Sequence, residues 1–317
     1  MVYYSPQMSA HDTLPPSPPK PSSDRGLSPT AGMLLVTLFW GGNFTATKLA
    51  FTQIEPLAFT ALRFLLATAV IWVIVRRVEG PAPLPQGTLR PLIVLGVVGN
   101  TLYQLFFVEG LARTSATKSS LILAAMPVVV TVAASLLGVE KVSRRQGIAI
   151  LLATIGVVVV VGAKGGTLDA GFGTGELLLF GGVITWAIYT LLLRHWKLPI
   201  SSLRLTAWTL YTGTPGLVLI GIPALRETHW SEMSLAGWGG TLYAALLSLI
   251  AAYILWNRGV AKLGASRTVA YNTVVPLVAT VIAMVGLGER PGVAHLVGGV
   301  LIVGGVLLTR GEVAAEG

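Results

Sequence analysis

The feature that most constrains this chain is a series of ten apolar runs that occupy nearly all of its 317 residues. A helix needs about 20 mostly apolar residues to cross roughly 30 Å of hydrocarbon, and these runs are continuous rather than alternating with a period of two. Only short polar segments separate the runs, so no soluble domain is inserted. The sequence therefore predicts an all-α integral membrane protein of ten transmembrane helices, near 32–51, 57–75, 91–111, 118–138, 147–163, 175–193, 205–224, 236–257, 267–287 and 293–309.

The composition excludes the usual soluble classes. Only 11% of the residues are charged, whereas a soluble domain carries about a quarter. The net charge of +9 would be compatible with binding to nucleic acid. Such a binding site needs basic residues clustered on one surface, and here they are scattered in twos and threes. We therefore expect no nucleic acid among the partners, which are a lipid bilayer and a small-molecule substrate. The oligomeric state stays open.

The basic residues instead report orientation. Of the 22 Lys and Arg residues, 15 fall on the side of the N-terminus, 6 fall on the opposite side, and Arg63 lies within the second run. Because an excess of Lys and Arg marks the cytoplasmic face, both termini are predicted to be cytoplasmic. Residues 1–31 are rich in proline and contain no apolar run, so they are predicted to be a disordered cytoplasmic tail.

The chain also repeats itself. At an offset of 149 residues, the segment GLARTSATKSSLILAAMPVVVT at 110–131 matches GVAKLGASRTVAYNTVVPLVAT at 259–280, and Pro127 falls on Pro276. At a nearby offset, Trp40 pairs with Trp186. The repeats are predicted to span 32–163 and 174–310. Because each holds five runs, an odd number, the second copy is inverted in the membrane, an arrangement typical of transporters that bind substrate at the midplane and alternate access by rocking.

These motifs carry a family resemblance. The segment WGGNFTATK in the first run, the related entries to the fourth and ninth runs, and the exits GVEK at 138–141 and GLGER at 286–290 resemble the drug/metabolite transporter superfamily, and in particular its EamA family. The resemblance covers about 31–310. It implies a ten-helix secondary transporter of the bacterial cytoplasmic (inner) membrane that exports amino acids or related metabolites. Exporters of aromatic amino acids are among the branches that it allows.

Polar and aromatic side chains within the runs are the candidate site. A polar side chain is costly in lipid and therefore usually faces the bundle interior or a cavity, and a Trp- and Tyr-rich cavity suits amphipathic, zwitterionic solutes. The candidate substrate-binding residues are Trp40, Asn43, Asn100, Tyr103, Gln104, Trp186, Tyr189, Ser248, Tyr253, Trp256, Tyr271 and Asn272. Two alternatives stay open for members of this set. The aromatic residues could pack between helices, and the asparagines could form interhelical hydrogen bonds.

Three further residues have two interpretations each. Arg63 is a candidate contact for a substrate carboxylate, and the alternative is an arginine that extends to the interface and pairs with Glu55. Pro127 and Pro276 each remove a helix hydrogen bond near the middle of a run, so they are candidate gating hinges or static kinks.

Competing functions are less well supported by the residues. A proton-coupled multidrug exporter resembling the small multidrug-resistance proteins is implied to carry a Glu in the first run, and this run has none between Gly32 and Ala46. A membrane enzyme or a non-transporting scaffold is the other class. The chain has no cysteine, its four histidines lack metal-ligand spacing, and no catalytic constellation appears, so neither an enzyme activity nor a cofactor or metal is expected.

Overall fold

A computed structural model describes residues 27–81, 83–136, 144–164, 167–168, 173–263, 268 and 271–313. Apart from a two-residue pairing of Ala163–Lys164 with Thr167–Leu168, the described chain is helical. Most of the predicted tail and residues 137–143 lie outside the described residues. The first helix begins at Pro29, and the predicted disordered tail at 1–31 stays a prediction.

The described residues of the first half of the chain form seven α-helices. Several of them begin after a capping residue. Ser28, Glu55 and Ser115 each accept a hydrogen bond from a backbone N–H of the first turn, and proline follows the first two of these caps. The helices are α1 (Pro29–Phe51), α2 (Pro56–Val78), α3 (Leu89–Gly96), α4 (Tyr103–Ala112), α5 (Ala116–Leu123), α6 (Met126–Leu136) and α7 (Arg144–Gly162), with a π-helical segment, Val97–Leu102, between α3 and α4.

The second half follows the same order. It contains α8 (Thr174–Trp196), α9 (Ser202–Glu227), α10 (Leu235–Leu242), α11 (Ala252–Leu263), α12 (Val275–Leu287) and α13 (Val293–Val313), with a π-helical segment, Tyr243–Ala251, between α10 and α11 and 3₁₀ turns at Trp230–Glu232 and Tyr271–Thr273.

By length and composition, five of the described helical stretches could cross a membrane. They are Pro56–Val78, Leu89–Ala112, Thr174–Leu193, Ser202–Glu227 and Leu235–Leu263, and shorter apolar helices lie in the fourth, fifth, ninth and tenth predicted runs. The protein is therefore a helical membrane protein, while the count of ten spans stays a prediction.

The fourth and ninth runs are interrupted, which differs from the continuous, proline-bent helices expected from the sequence. Helix α5 ends at Leu123 and α6 begins at Met126, so Pro127 is the second residue of a new helix. Pro276 is likewise the second residue of α12 and follows the 3₁₀ turn at Tyr271–Thr273. Proline suits this position because its missing N–H has no intrahelical partner to lose there. The prolines therefore begin helical segments after a break, and their role as hinges stays a prediction.

Close contacts between the two halves bring backbones together at small residues. The hydroxyls of Thr68 on α2 and Thr214 on α9 are 2.7 Å apart. Helices α7 and α13 meet at Gly156 and Gly298, where a Cβ added to Gly156 would lie 2.7 Å from the Gly298 carbonyl oxygen. Small residues at such crossings allow van der Waals contact between backbones in lipid.

This contact predicts a specific cost. We expect Gly156→Ala to destabilise the protein by about 1–3 kcal/mol, because the added methyl forces the two backbones apart. Gly147→Ala on the same helix is the matched control, since a Cβ there meets no described atom within 4 Å. Thermal unfolding of the purified protein in detergent measures the difference, and equal midpoints for the two variants would show that the crossing tolerates the methyl.

Candidate functional site

A cavity lies between the two halves of the chain, lined by residues of α1, α2, α4, α5, α6, α8, α11 and α12, of the second π-helical segment and of the 3₁₀ turn at Tyr271–Thr273. With its opening included, it contains about 620 Å³ of empty space. Eight of the twelve predicted substrate-binding residues line it: Trp40, Asn43, Tyr103, Gln104, Trp186, Ser248, Tyr253 and Asn272. The predicted carboxylate contact, Arg63, lines it as well.

Aromatic rings form one wall of the cavity. The ring of Trp186, only 3% exposed, lies with its centroid 5.7 Å from Trp40, 4.7 Å from Tyr103 and 5.6 Å from Tyr253. Trp40 meets Trp186 edge-on, with an angle of 86° between the planes. Edge-to-face and tilted arrangements are the favourable ones for aromatic pairs. Trp40, Tyr103, Trp186 and Tyr253 are called the aromatic wall below.

The polar side of the cavity is centred on Arg63. Its Nη2 donates to Gln104 Oε1 at 2.5 Å, and Gln104 Nε2 donates to the Tyr253 hydroxyl at 3.4 Å. Glu55, the partner in the alternative interpretation of Arg63, instead caps its own helix by accepting from the N–H groups of Leu57 and Ala58 at 2.8 and 3.0 Å. The buried arginine therefore faces the cavity rather than the interface.

The second π-helical segment holds α1 in place. Trp40 Nε1 donates to the carbonyl oxygen of Ser248 at 3.1 Å, and Ser248 Oγ donates back to the carbonyl oxygen of Phe39 at 3.1 Å. A π-helical turn widens the helix and changes which carbonyls are free for other donors, and such turns are frequent at functional sites. The pairing fixes the orientation of the Trp40 ring in the aromatic wall.

Four predicted site residues lie outside the cavity lining. Asn100 donates to the Thr209 carbonyl at 2.9 Å and joins two helices, as the interhelical alternative anticipated. Tyr189 packs against Gly99, where a Cβ would collide with its ring. Trp256 lies behind Trp40 with ring centroids 5.0 Å apart, and Tyr271 is half-buried in the 3₁₀ turn. These residues support the site without facing it.

Sequence reasoning missed eight lining residues, most of them apolar. They are Phe44, Phe107, Ser120, Leu123, Ala124, Met126, Leu249 and Val275. In an apolar run, the sequence does not distinguish an apolar side chain that lines a cavity from one that contacts lipid. Ser120 could have been found, because it follows another serine within the fourth run and both are buried.

Buried charges hold the two halves together at one end of the molecule. Lys118 Nζ and Glu176 Oε1 are 2.6 Å apart, and both side chains are less than 10% exposed. The Glu289 carboxylate accepts from the N–H groups of Ala116 and Thr117 at 2.8 and 3.0 Å, at the first turn of α5. A carboxylate at a helix N-terminus satisfies free donors and complements the helix dipole. These contacts join α5 in the first half of the chain to α8 and the loop before α13 in the second, and the pair Lys118–Glu176 is called the buried ion pair below.

Comparisons with known proteins agree with this architecture. The model of the EamA-like transporter family matches residues 29–162 and 173–311. The "Uncharacterized transporter YyaM" of Bacillus subtilis is 28% identical over 276 residues, which cover 85% of this chain and 89% of that protein. A "Probable terminal-alkyne amino-acid exporter" of Streptantibioticus cattleyicolor is 26% identical over 275 residues, 85% and 89% of the two chains. A solved structure named "Crystal structure of protein" superposes with a TM-score of 0.65 at 19% identity, covering 91% of this chain and 98% of that one, which shows a shared fold.

Proposed function

The chain belongs to the EamA-like transporter family, and from that premise we propose that it exports small amphipathic metabolites by alternating access around the central cavity. Amino acids, including aromatic ones, are the proposed cargo. The observation that carries this proposal is the cavity itself, because its lining combines the aromatic wall with adjoining polar groups that include one buried cation. Such a surface offers stacking for an apolar side chain and hydrogen bonds for a zwitterionic backbone.

The proposed architecture is two inverted five-helix repeats, 32–163 and 174–310, with both termini in the cytoplasm. Contacts between residues that the repeat relates support it, because related residues can touch only near a two-fold axis. Three such pairs are in contact: Trp40 with Trp186, Gln104 with Tyr253, and Thr68 with Thr214. The cavity contains the first two pairs, as expected for a substrate site between inverted repeats.

Unpartnered polar atoms around the cavity support an amino-acid cargo. Arg63 Nε and Trp186 Nε1 are buried donors without a partner among the described residues, and Asn272 Oδ1 is a buried acceptor without one. Buried polar atoms are costly when unpaired, so a bound solute with both acceptors and donors is favoured. An amino acid offers a carboxylate and an ammonium group. The one relative named as an amino-acid exporter points in the same direction.

The proposed localisation is the cytoplasmic (inner) membrane of a bacterium, and the proposed direction is outward. The breaks before Pro127 and Pro276 are proposed as the gating points, because a helix that is already interrupted can change its angle without losing further backbone hydrogen bonds.

Growth of bacteria in a toxic amino acid tests this function. Cells that produce the protein are expected to tolerate 4-fluorophenylalanine at several times the concentration that stops control cells, because export lowers its cytoplasmic level. Cells that produce a Trp186→Ala variant at the same membrane abundance serve as the matched comparison. Unchanged tolerance to toxic amino acids, together with raised tolerance to cationic dyes, would favour multidrug efflux instead.

A further inference from the structure

Arg63 is a buried cation without a counter-ion in the described part of the chain. It is 1% exposed, and its guanidinium carbon lies 4.8 Å from the ring centroid of Phe59 and 5.8 Å from that of Phe64. Its Nη2 donates to the Gln104 amide oxygen, and its Nε has no partner among the described residues. A guanidinium stays protonated in proteins, and a buried charge that is not paired is expensive. The ring faces and one neutral amide compensate only part of that cost.

The surroundings of Arg63 contain no acid among the described residues that line the cavity, and Arg63 is the one Lys or Arg among them. An anion that enters this cavity therefore meets an uncompensated positive charge in a site of low dielectric. Planar carboxylates match the donors of a guanidinium. We propose that Arg63 and Gln104 form a subsite for the carboxylate of the cargo, an inference that rests on the proposed function.

Gln104 acts in this subsite as a positioning residue. Its amide oxygen accepts from Arg63 Nη2 while its amide nitrogen donates to Tyr253, so the amide restrains the guanidinium without bonding to Nε. Gln104 and Tyr253 are 149 residues apart, the repeat offset, and thus occupy related positions with different chemistry. In the register that pairs Thr68 with Thr214, Arg63 corresponds to Thr209. The subsite is therefore present in one repeat only, which makes the cargo bind in one orientation.

This orientation gives each part of an aromatic amino acid a partner. The carboxylate binds Arg63, and the side chain lies against the aromatic wall. The proposed acceptor for the ammonium group is Asn272, which lines the same cavity and whose Oδ1 is buried without a partner in the described part of the chain. A small inorganic anion such as chloride has the same attraction to Arg63, so the test must separate it from the cargo carboxylate.

The test compares four ligands that share a phenyl group. Purified full-length protein in detergent is titrated with phenylalanine, 3-phenylpropionate, phenylalanine amide and 2-phenylethylamine, in a chloride-free isethionate buffer. Binding is followed by tryptophan fluorescence, because Trp40 and Trp186 line the cavity, and by the shift in thermal midpoint. We expect the two carboxylates to bind at least about tenfold more tightly than the amide and the amine, since a hydrogen bond to a charged group is a strong one.

Variants assign the preference to the subsite. Arg63→Gln is expected to bind all four ligands alike, and Arg63→Lys is expected to keep part of the preference because it keeps the charge. Gln104→Leu is expected to reduce the ratio of phenylalanine to phenylalanine-amide affinity. Asn100→Leu is the matched control, because it removes a buried amide in the same predicted span that does not line the cavity, and it should lower stability without changing that ratio.

Three results would overturn the inference. The first is equal binding of phenylalanine and its amide to the unmodified protein, and the second is a preference that survives Arg63→Gln. The third is saturable binding of chloride that depends on Arg63 and is not displaced by phenylalanine. A failure of the proposed function can be distinguished from a failure of this inference. In that case the protein would still prefer carboxylates in binding, but liposomes that contain it would transport none of the four ligands.

Discussion

Replacing Trp186 with alanine is expected to reduce transport of aromatic amino acids by about tenfold or more. Trp186 is in ring contact with Trp40, Tyr103 and Tyr253, so its loss removes the centre of the aromatic wall and loosens the other three rings. A single aromatic pair contributes about 0.5–1.5 kcal/mol beyond buried area, and about 1.4 kcal/mol corresponds to a factor of ten. The loss of several contacts to the bound side chain accounts for the expected size.

Initial rates in proteoliposomes, normalised to folded protein, measure this effect. Trp186→Phe should recover most of the rate because it restores a ring at the same place. Trp72→Ala is the matched control, since that tryptophan is 52% exposed and lies on α2 away from the cavity lining, and it should transport like the unmodified protein. A Trp186→Ala variant with unchanged KM and rate for phenylalanine would show that the aromatic wall does not bind cargo.

Breaking the buried ion pair is expected to have the second large effect. Glu176→Gln leaves Lys118 as an uncompensated buried charge, and removing one partner of such a pair costs about 3–5 kcal/mol. The pair, with Glu289 at the first turn of α5, joins the two halves at the end predicted to be periplasmic. The arrangement in which these contacts join the two halves should therefore lose stability relative to one in which that end opens, and the transport cycle should slow.

A cysteine at position 120 reports the opening directly, because Ser120 lines the cavity and the chain has no native cysteine. A membrane-impermeant thiol reagent is added outside cells. It should label Ser120→Cys at least several times faster when Glu176→Gln is also present than when Glu176 is intact. The double variant Lys118→Met with Glu176→Gln should recover part of the closed state, since it removes both charges. Arg113→Gln is the matched control, because the Glu109–Arg113 pair at the same end is partly exposed and such pairs contribute little. Equal labelling in all backgrounds would show that the ion pair does not hold this end closed.

Many residues of the candidate site could be predicted from the sequence, because a polar side chain within an apolar run stands out. A buried Asn, Gln or Arg in an apolar run must face protein or a cavity, and this reasoning found Asn43, Gln104 and Arg63. It could not separate Gln104, which lines the cavity, from Asn100, which joins two helices, because both are buried amides in one predicted span. Their difference depends on which neighbour each side chain reaches.

The backbone breaks were harder to predict. Pro127 and Pro276 indicated where the fourth and ninth runs depart from a straight helix. A proline in the sequence does not distinguish an interrupted helix from a bent one. The π-helical segments at Val97–Leu102 and Tyr243–Ala251 have no such signal, because their hydrogen-bond pattern depends on the helices packed against them. The contact of Glu289 with α5 spans more than 170 residues of sequence, and only the folded chain brings the two together.

Counterflow in proteoliposomes tests most directly whether this cavity moves amino acids across a membrane. Liposomes that contain the purified protein and are preloaded with unlabelled phenylalanine should transiently accumulate external labelled phenylalanine, and liposomes preloaded with 2-phenylethylamine should not. A parallel series with an imposed pH gradient distinguishes proton-coupled from facilitated transport. If liposomes preloaded with any of a panel of amino acids take up no more label than protein-free liposomes, while the protein remains folded, the proposed function is wrong.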